Sequence, residues 1–207
     1  MIVNPPIEEY LKQLLPRRDP ILLEMESFGY SINFPILGPL VGTILLQLTT
    51  AIGAKRVLEL GSGFGYSAYW FSLGIPEDGK IFCTDLSVKN KEKAENYFQR
   101  AGFENKLQFM VGDALEILSG LNGEFDIILN DVQKTKYPDV FEPAVKKLRR
   151  GGILVTDNVL RKGNVVSESE DENVVAIQRY NKMMFGSESV ISSVLPVRDG
   201  LGICVKK

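Results

Sequence analysis

The sequence predicts an α/β fold: a seven-stranded, mostly parallel sheet with helices on both faces, a C-terminal antiparallel hairpin and an N-terminal helical cap. Three observations predict it. Five short apolar runs alternate with segments of helical spacing, the pattern of right-handed β-α-β units. Two further strand-like runs flank the turn RDG with no helix between them, so they should pair antiparallel. The 207 residues contain no repeat, low-complexity tract or linker, which makes residues 1–207 one domain, with helices over 1–50 and an α/β core over 51–207.

Each element follows from its own residues. FPILGPLVGTILLQLTTAIGA (34–54) is the longest apolar-rich stretch. Its Gly, Pro, Gln and Thr mark a core helix with its approach, not a membrane span. RVLELG (56–61) is a short strand ending in glycine, and YSAYWFSLG (66–74) has helical spacing up to Gly74. GKIFCTDL (79–86) is strand-like, and VKNKEKAENYFQRAG (88–102) is a charged amphipathic helix closed by Gly102. KLQFMVGD (106–113) is a strand, ALEILSGL (114–121) a short helix, and EFDIILND (124–131) the next strand. YPDVFEPAVKKLRRGG (137–152) is a helix with Val140, Ala144 and Leu148 on one face, which Pro143 should kink or start late. GILVTDN (152–158) is a strand and ENVVAIQRYNKMMFG (172–186) a helix, preceded by acids in SESEDEN that suit a solvated helix start. SVISSVLPV and GLGICVKK close the chain as the hairpin.

Composition narrows the function. A net charge of −2 leaves no broad electrostatic footprint for nucleic acid, although a local patch for a structured RNA stays open. Cys83 and Cys204 each sit in an apolar run and read as reduced core thiols. The N-terminus lacks the basic region and apolar core of a signal peptide, so the expected setting is the cytoplasm, with no membrane partner. There is no histidine, so any proton transfer uses another group.

VLELGSGFGYS (57–67) places Gly61, Gly63 and Gly65 between a strand and a helix. Glycines there let the chain turn tightly and let a ligand approach the helix N-terminus. The G-x-G-x-G spacing departs from the dinucleotide pattern. The next strand ends in Asp85, placed to accept from ribose hydroxyls, and the third ends at Asp113, placed to accept from an adenine amino group. Either acid could instead cap the helix that follows it.

Together, ELGSGFGYS, Asp85 and GDA (112–114) resemble the S-adenosylmethionine pocket of class I methyltransferases, which have a Rossmann-like fold. The GYS ending is similar to the cation-dependent O-methyltransferases, the group of catechol and caffeoyl-CoA O-methyltransferases and their bacterial relatives. The likeness implies S-adenosylmethionine as cofactor, held by Val41, Glu59, Gly61, Gly63, Gly65, Ser67, Asp85, Asp113, Ala114 and Asp131. Val41 and Gly42 match a segment over the methionine portion, and Glu59 and Ser67 match positions near its amino acid moiety. Trp70 is expected in the core.

The fourth strand ends in Asp131 and the fifth in Asp157 and Asn158. Neighbouring strand tips can bring these together as two carboxylates and an amide oxygen, a hard donor set that suits Mg²⁺, with Ca²⁺ or Mn²⁺ as alternatives. With no histidine and no paired cysteines, zinc is disfavoured. The family has the same arrangement, with a D-x-x-K element matched by DVQK (131–134) and a DN pair matched by TDNVLRKG. The resemblance implies Asp131, Asp157 and Asn158 as metal ligands, and Asp131 and Lys134 as catalytic, with Lys134 as the base. Asn130 and Gln133 depart from the family pattern and suggest a more polar rim.

These readings lead to methylation of a hydroxyl on a small catechol-like or vicinal-diol acceptor. A hydroxylated wobble uridine in tRNA is the alternative, which a basic patch near the site would favour; KKLRR (146–150) sits at the far end of its helix. A nicotinamide oxidoreductase is disfavoured by the glycine spacing, and a degenerate binding module by the retained Asp131, Lys134, Asp157 and Asn158. Acceptor specificity should lie in 1–40 and 160–175. The resemblance implies a homodimer, with apolar residues of the N-terminal helices (Ile21, Leu22, Leu23, Phe28, Tyr30, Phe34) as candidate interface.

Overall fold

A computed structural model describes residues 2–207. Three helices come first: α1 (Pro5–Leu14), α2 (Pro20–Ser31) and α3 (Gly38–Ala51). The core then alternates β1 (Arg56–Leu60), α4 (Tyr66–Gly74), β2 (Lys80–Asp85), α5 (Val88–Arg100), β3 (Leu107–Val111), α6 (Ala114–Gly120), β4 (Phe125–Asn130), α7 (Tyr137–Lys147), β5 (Leu148–Thr156) and α8 (Glu172–Gly186). The hairpin β6 (Val190–Leu195) and β7 (Leu201–Lys206) ends the chain.

The seven strands order as β3-β2-β1-β4-β5-β7-β6, with β7 antiparallel to both of its neighbours and the rest parallel. Strand alternation splits the core into two layers. Val57, Ile81, Cys83, Ile127 and Val155 face α3, α4 and α5, whereas Leu58, Phe82, Ile128, Leu154 and Cys204 face α6, α7 and α8. Both cysteines are free and buried. Trp70 is in the core, and the lack of a side chain on Gly42 makes room for its indole, since a Cβ there would lie 2.2 Å from the ring.

The helix starts follow side-chain chemistry. Asp19, Ser87, Asp113 and Asp171 each accept a hydrogen bond from the first turn of the helix that follows, which satisfies otherwise orphaned N–H groups.

Two expectations need correction. Helix α7 starts at Tyr137 with Pro138 in its first turn and carries Pro143 inside it, so the late start is not seen. It also stops at Lys147, and Leu148 opens β5 opposite Phe125. The register shifts between Phe125 and Ile127, and Gly152 lies where a Cβ would approach the carbonyl oxygens of Phe125 and Asp126 within 3.1 Å. Strand pairing, not helical periodicity, therefore claims residues 148–151.

No described helix is long and apolar enough to cross a membrane.

Candidate active site

Strand order reverses between β1 and β4: β2 and β3 lie to one side of β1, while β4, β5, β7 and β6 lie to the other. A crevice opens at such a switch point, beyond the C-terminal ends of the strands. A cleft of about 1120 Å³ is found there. Its walls come from the tips of β1 through β5, from residues 34–37 before α3, and from the turn before β7.

The glycine turn after β1 forms one floor. Gly61 has φ +86°, and a Cβ there would lie 2.5 Å from the carbonyl oxygen of Asp131, so glycine is what lets the β1 and β4 tips touch. Asp85, at the end of β2, accepts from Gly63 N at 3.0 Å, Ser87 N at 2.8 Å and Asn90 Nδ2 at 2.9 Å. Its carboxylate thus holds the turn in place while still facing the cleft. Asp113 caps α6 through Oδ1, at 2.9 Å from Leu115 N and 3.1 Å from Glu116 N, so the capping alternative is realised while the residue lines the cleft. Ala114 and Ser67 also line the wall.

Three expected cofactor residues lie off the cleft surface. Glu59 is 1% exposed and sits beneath the floor, where its carboxyl takes a hydrogen bond from Ser67 Oγ. Burial pushes its pKa up to about 8, so it is largely a neutral acid at pH 7. Val41 is fully buried in α3 and Gly65 packs against Ala94 of α5. The helix register explains Val41: α3 turns that face into the core, and Phe34, Pro35, Ile36 and Leu37 line the cleft in its place.

The other floor is built by β4 and β5. Asp131 Oδ1 accepts from Lys134 Nζ at 2.6 Å. The same ammonium donates to Tyr137 Oη at 2.6 Å, and the Tyr137 hydroxyl donates to the carbonyl oxygen of Asp157 at 2.9 Å. One buried phenol therefore ties the D-x-x-K element of one strand to the DN pair of the next. Asp157 is 3% exposed, with Oδ1 lacking any hydrogen-bond partner among the described residues. Its Oδ2 lies 3.8 Å from Arg198 Nη1. Burial pushes both carboxyls up, and Asp157 is raised further by the charge of Asp131. Asn158 follows with a left-handed backbone (φ +59°) and lines the cleft.

This donor set fits a divalent cation. A buried carboxylate with an orphaned oxygen, repelled by a second carboxylate, is short of positive charge. Among the described residues no three His, Cys, Asp or Glu side chains cluster as a metal site; the expected set has only two carboxylates and completes itself with an amide.

The fold brings Gly61, Gly63, Ser67, Asp85, Asp113, Ala114, Asp131, Lys134 and Asn158 to one cleft, with Asp157 just beneath it. Gln133 is exposed on the rim as expected, but Asn130 is fully buried and adds nothing to the rim. Sequence reasoning missed Tyr137, whose signal was its place three residues after Lys134. It also missed Lys136, Arg161, Lys162 and Arg198 on the wall.

A family model described as O-methyltransferase matches residues 31–207. The chain is 30% identical to a catechol O-methyltransferase of Niastella koreensis, over 97% of this chain and 96% of that protein. It is 30% identical to a caffeoyl-CoA O-methyltransferase of Stellaria longipes, over 92% and 85%. The fold matches the O-methyltransferase from Bacillus cereus in complex with SAH, with a TM-score of 0.88, 28% identity and 97% of each chain covered.

Proposed function

The chain belongs to the O-methyltransferase family, and on that premise we propose that it moves the methyl group of S-adenosylmethionine to a hydroxyl of a small catechol-like or vicinal-diol acceptor, assisted by a divalent cation. The observation that carries this reading is the Lys134–Asp131–Tyr137–Asp157 linkage, which opens on the same cleft as the glycine turn.

The roles follow from the geometry. The turn at Gly61 and Gly63, with Ser67, Asp85, Asp113 and Ala114, supplies backbone and carboxylate groups for the nucleoside and the amino acid portion. Glu59 acts from below by fixing Ser67. Asp131, Asp157 and Asn158 would hold the cation, with Mg²⁺ the ion best suited and Ca²⁺ or Mn²⁺ acceptable to the same oxygens. When bound, such an ion lowers the pKa of a hydroxyl placed against it.

Lys134 Nζ, as the neutral amine with two N–H donors and one lone pair, is the proton acceptor. Two of its directions are taken by Asp131 Oδ1 and Tyr137 Oη, and the Tyr137 proton is committed to the Asp157 carbonyl. The remaining direction is left for the acceptor hydroxyl. In the transfer the O–H bond breaks with its proton going to Nζ, the O–CH₃ bond forms, and the S–CH₃ bond breaks to give S-adenosylhomocysteine. The cleft walls supply the in-line alignment this displacement needs.

Apolar Ile7, Tyr10, Leu11 and Leu14 are exposed along α1 and suit a second copy of the chain, which sedimentation tests. Of the interface residues expected from sequence, Leu23 and Tyr30 are exposed, but Phe28 and Phe34 pack on Phe64 with ring centroids 5.2 and 5.1 Å away.

The test is methyl transfer from S-adenosylmethionine to caffeic acid with Mg²⁺, then with excess EDTA, for wild type and Asp157→Ala. Turnover that is lost in the last two conditions supports the reading. Methylation of a hydroxyuridine-containing tRNA fraction, with no small diol accepted, would replace it with the RNA alternative, which the basic Lys136, Arg161, Lys162 and Arg198 on the cleft wall also suit.

A further inference from the structure

One end of the cleft has an unusual backbone. Five non-glycine residues of the described chain have left-handed φ, and four of them, Asn158, Arg161, Lys162 and Arg198, line this cleft. Residues rarely adopt that conformation unless their surroundings impose it, and such strain gathers where side-chain direction matters. Three of the four carry a positive charge.

The strain has a visible cause. The turn after β5 is clasped to the turn before β7: Val159 N donates to Gly200 O at 3.1 Å, Leu160 N to Asp199 O at 2.9 Å, and Lys162 N to the Asp199 carboxylate. The clasp is tight enough that a Cβ on Gly200 would lie 2.4 Å from Leu160 Cγ. Two segments far apart in sequence thus become one rigid wall that delivers Arg161, Lys162 and Arg198 together. Lys136, from the β4 side, lines the same cleft.

The positive charge on this wall is only partly offset, by Asp157 near Arg198 and by the Asp199 carboxylate. Of the acids beside it, Glu8 pairs with Lys12 at 2.8 Å and Asp131 with Lys134 at 2.6 Å, while Asp199 accepts from the Lys162 backbone and keeps its charge, one negative group against four positive ones. Among the described residues, the side chains of Lys136, Arg161 and Lys162 make no ion pair or hydrogen bond. Among the described residues Arg198 Nη1 is buried without a hydrogen-bond partner, with Asp157 Oδ2 3.8 Å away and Asp131 near enough to feel its charge. An unpartnered buried guanidinium N–H is costly unless a ligand completes it. The cleft, at about 1120 Å³, exceeds the roughly 300–1,000 Å³ usual for one small ligand, so an acceptor with a substituent has room beside the cofactor.

Resting on the methyltransferase reading above, we infer that the acceptor carries an anionic group, a carboxylate or a phosphate, in addition to its hydroxyls, and that Arg161, Lys162 and Arg198 bind that group. A neutral catechol would leave this wall unused, and a cationic one would be repelled by it.

The experiment compares four acceptors in the holoenzyme: catechol, 3,4-dihydroxybenzoate, dopamine, and a catechol bearing a phosphate monoester on a short arm. The expected kcat/KM favours the anions over catechol by at least about tenfold, the worth of one charge-assisted contact, with dopamine poorest. The carboxylate and phosphate arms tell which anion fits. Raising the salt should narrow the spread. The double charge reversal Arg161→Glu with Lys162→Glu should bring dopamine above 3,4-dihydroxybenzoate, while Arg161→Lys should keep the original order. Arg161→Gln with Lys162→Gln, which removes charge without reversing it, should flatten the series if the reversed variant fails to fold. Calorimetric binding of the same four compounds to protein loaded with S-adenosylhomocysteine reads the preference without turnover. A failure of the methyl transfer is thereby separated from a failure of the charge preference. Equal affinity and equal kcat/KM across the series, or an order untouched by the charge reversal, would overturn the inference.

Discussion

The two floors of the cleft are built to opposite rules. On the β1–β3 side, polar groups are satisfied within the chain: Asp85 accepts three hydrogen bonds and Asp113 caps α6. On the β4–β5 side, Asp157 Oδ1 and Arg198 Nη1 have no hydrogen-bond partner among the described residues, burial raises both Asp131 and Asp157, and the charge of Asp131 raises Asp157 further. The same contrast runs along β4 itself. Asp126, at its start, takes Lys55 N and Arg56 N at 2.8 Å each and Arg149 Nε at 2.5 Å. Burial pushes Asp126 up, but these donors outweigh it and leave its pKa lowered. Asp131, at the other end, stays raised despite Lys134. The difference teaches which half is finished: the β1–β3 floor is preorganised by the fold, whereas the β4–β5 floor, on the proposed reading, would be completed by a bound cation.

The sharpest way to break that comparison is Asp157→Asn. It keeps the shape and removes the buried charge. Methyl transfer should fall by about a thousandfold or more, because the cation loses a charged ligand while the Tyr137 link to the Asp157 backbone carbonyl stays. Stability of the cofactor-free protein should rise by about 1 kcal/mol, as at other strained functional sites. Denaturation and turnover on the same preparation check both; a destabilised variant would mean that the carboxylate floor was already satisfied.

Lys134→Met removes the base and keeps the side-chain stem. A loss of about 10²–10⁴ in kcat is expected for a general base, with calorimetric affinity for S-adenosylmethionine little changed. Affinity falling in step with kcat would assign Lys134 to the cofactor floor.

Gly61→Ala probes the seam between the floors. Its Cβ would meet the Asp131 carbonyl at 2.5 Å on a left-handed backbone, so about 3 kcal/mol of stability should be lost, together with both cofactor affinity and turnover. Loss of one function alone would show that the floors are mechanically independent.

The smallest effect expected is a pH dependence from Glu59. Its folded pKa of about 8 lies above the reference 4.5, so the folded state retains a proton that the unfolded state releases. That stabilisation is complete below pH 4.5 and is lost as pH rises to about 8. Glu59→Gln should reduce the stability difference between pH 5 and pH 8 by at least about 1 kcal/mol, as chemical denaturation at each pH will read. An unchanged difference would place the titration elsewhere.

What the sequence displayed, and what it hid, follows the same division of the molecule. The strands were legible because apolar runs and period-two alternation are local: β2 ends at Asp85, and β4 and β5 end one residue before Asp131 and Asp157. The D-x-x-K and DN elements are short local motifs, read from their resemblance to the family. The cleft walls were not legible. Arg161, Lys162 and Arg198 reach the site through two turns joined by hydrogen bonds across more than thirty residues of sequence. Nothing in RKG or RDG announces a left-handed arginine. Tyr137 read as an ordinary helix start, since its role depends on the Asp157 carbonyl of the next strand. Val41 looked like a cofactor contact because sequence position does not fix which face of α3 points inward. Leu148 kept helical spacing and still went to the sheet, where Phe125 pairs with it.

The most direct test is calorimetric titration of S-adenosylmethionine into metal-stripped protein in EDTA and then in Mg²⁺, with methyl transfer followed in both. The account predicts cofactor affinities within a few-fold of each other and transfer only with the cation. Transfer that proceeds undiminished in EDTA, or cofactor binding that vanishes there, would contradict the division of the cleft into a preorganised floor and a floor completed by its ligand.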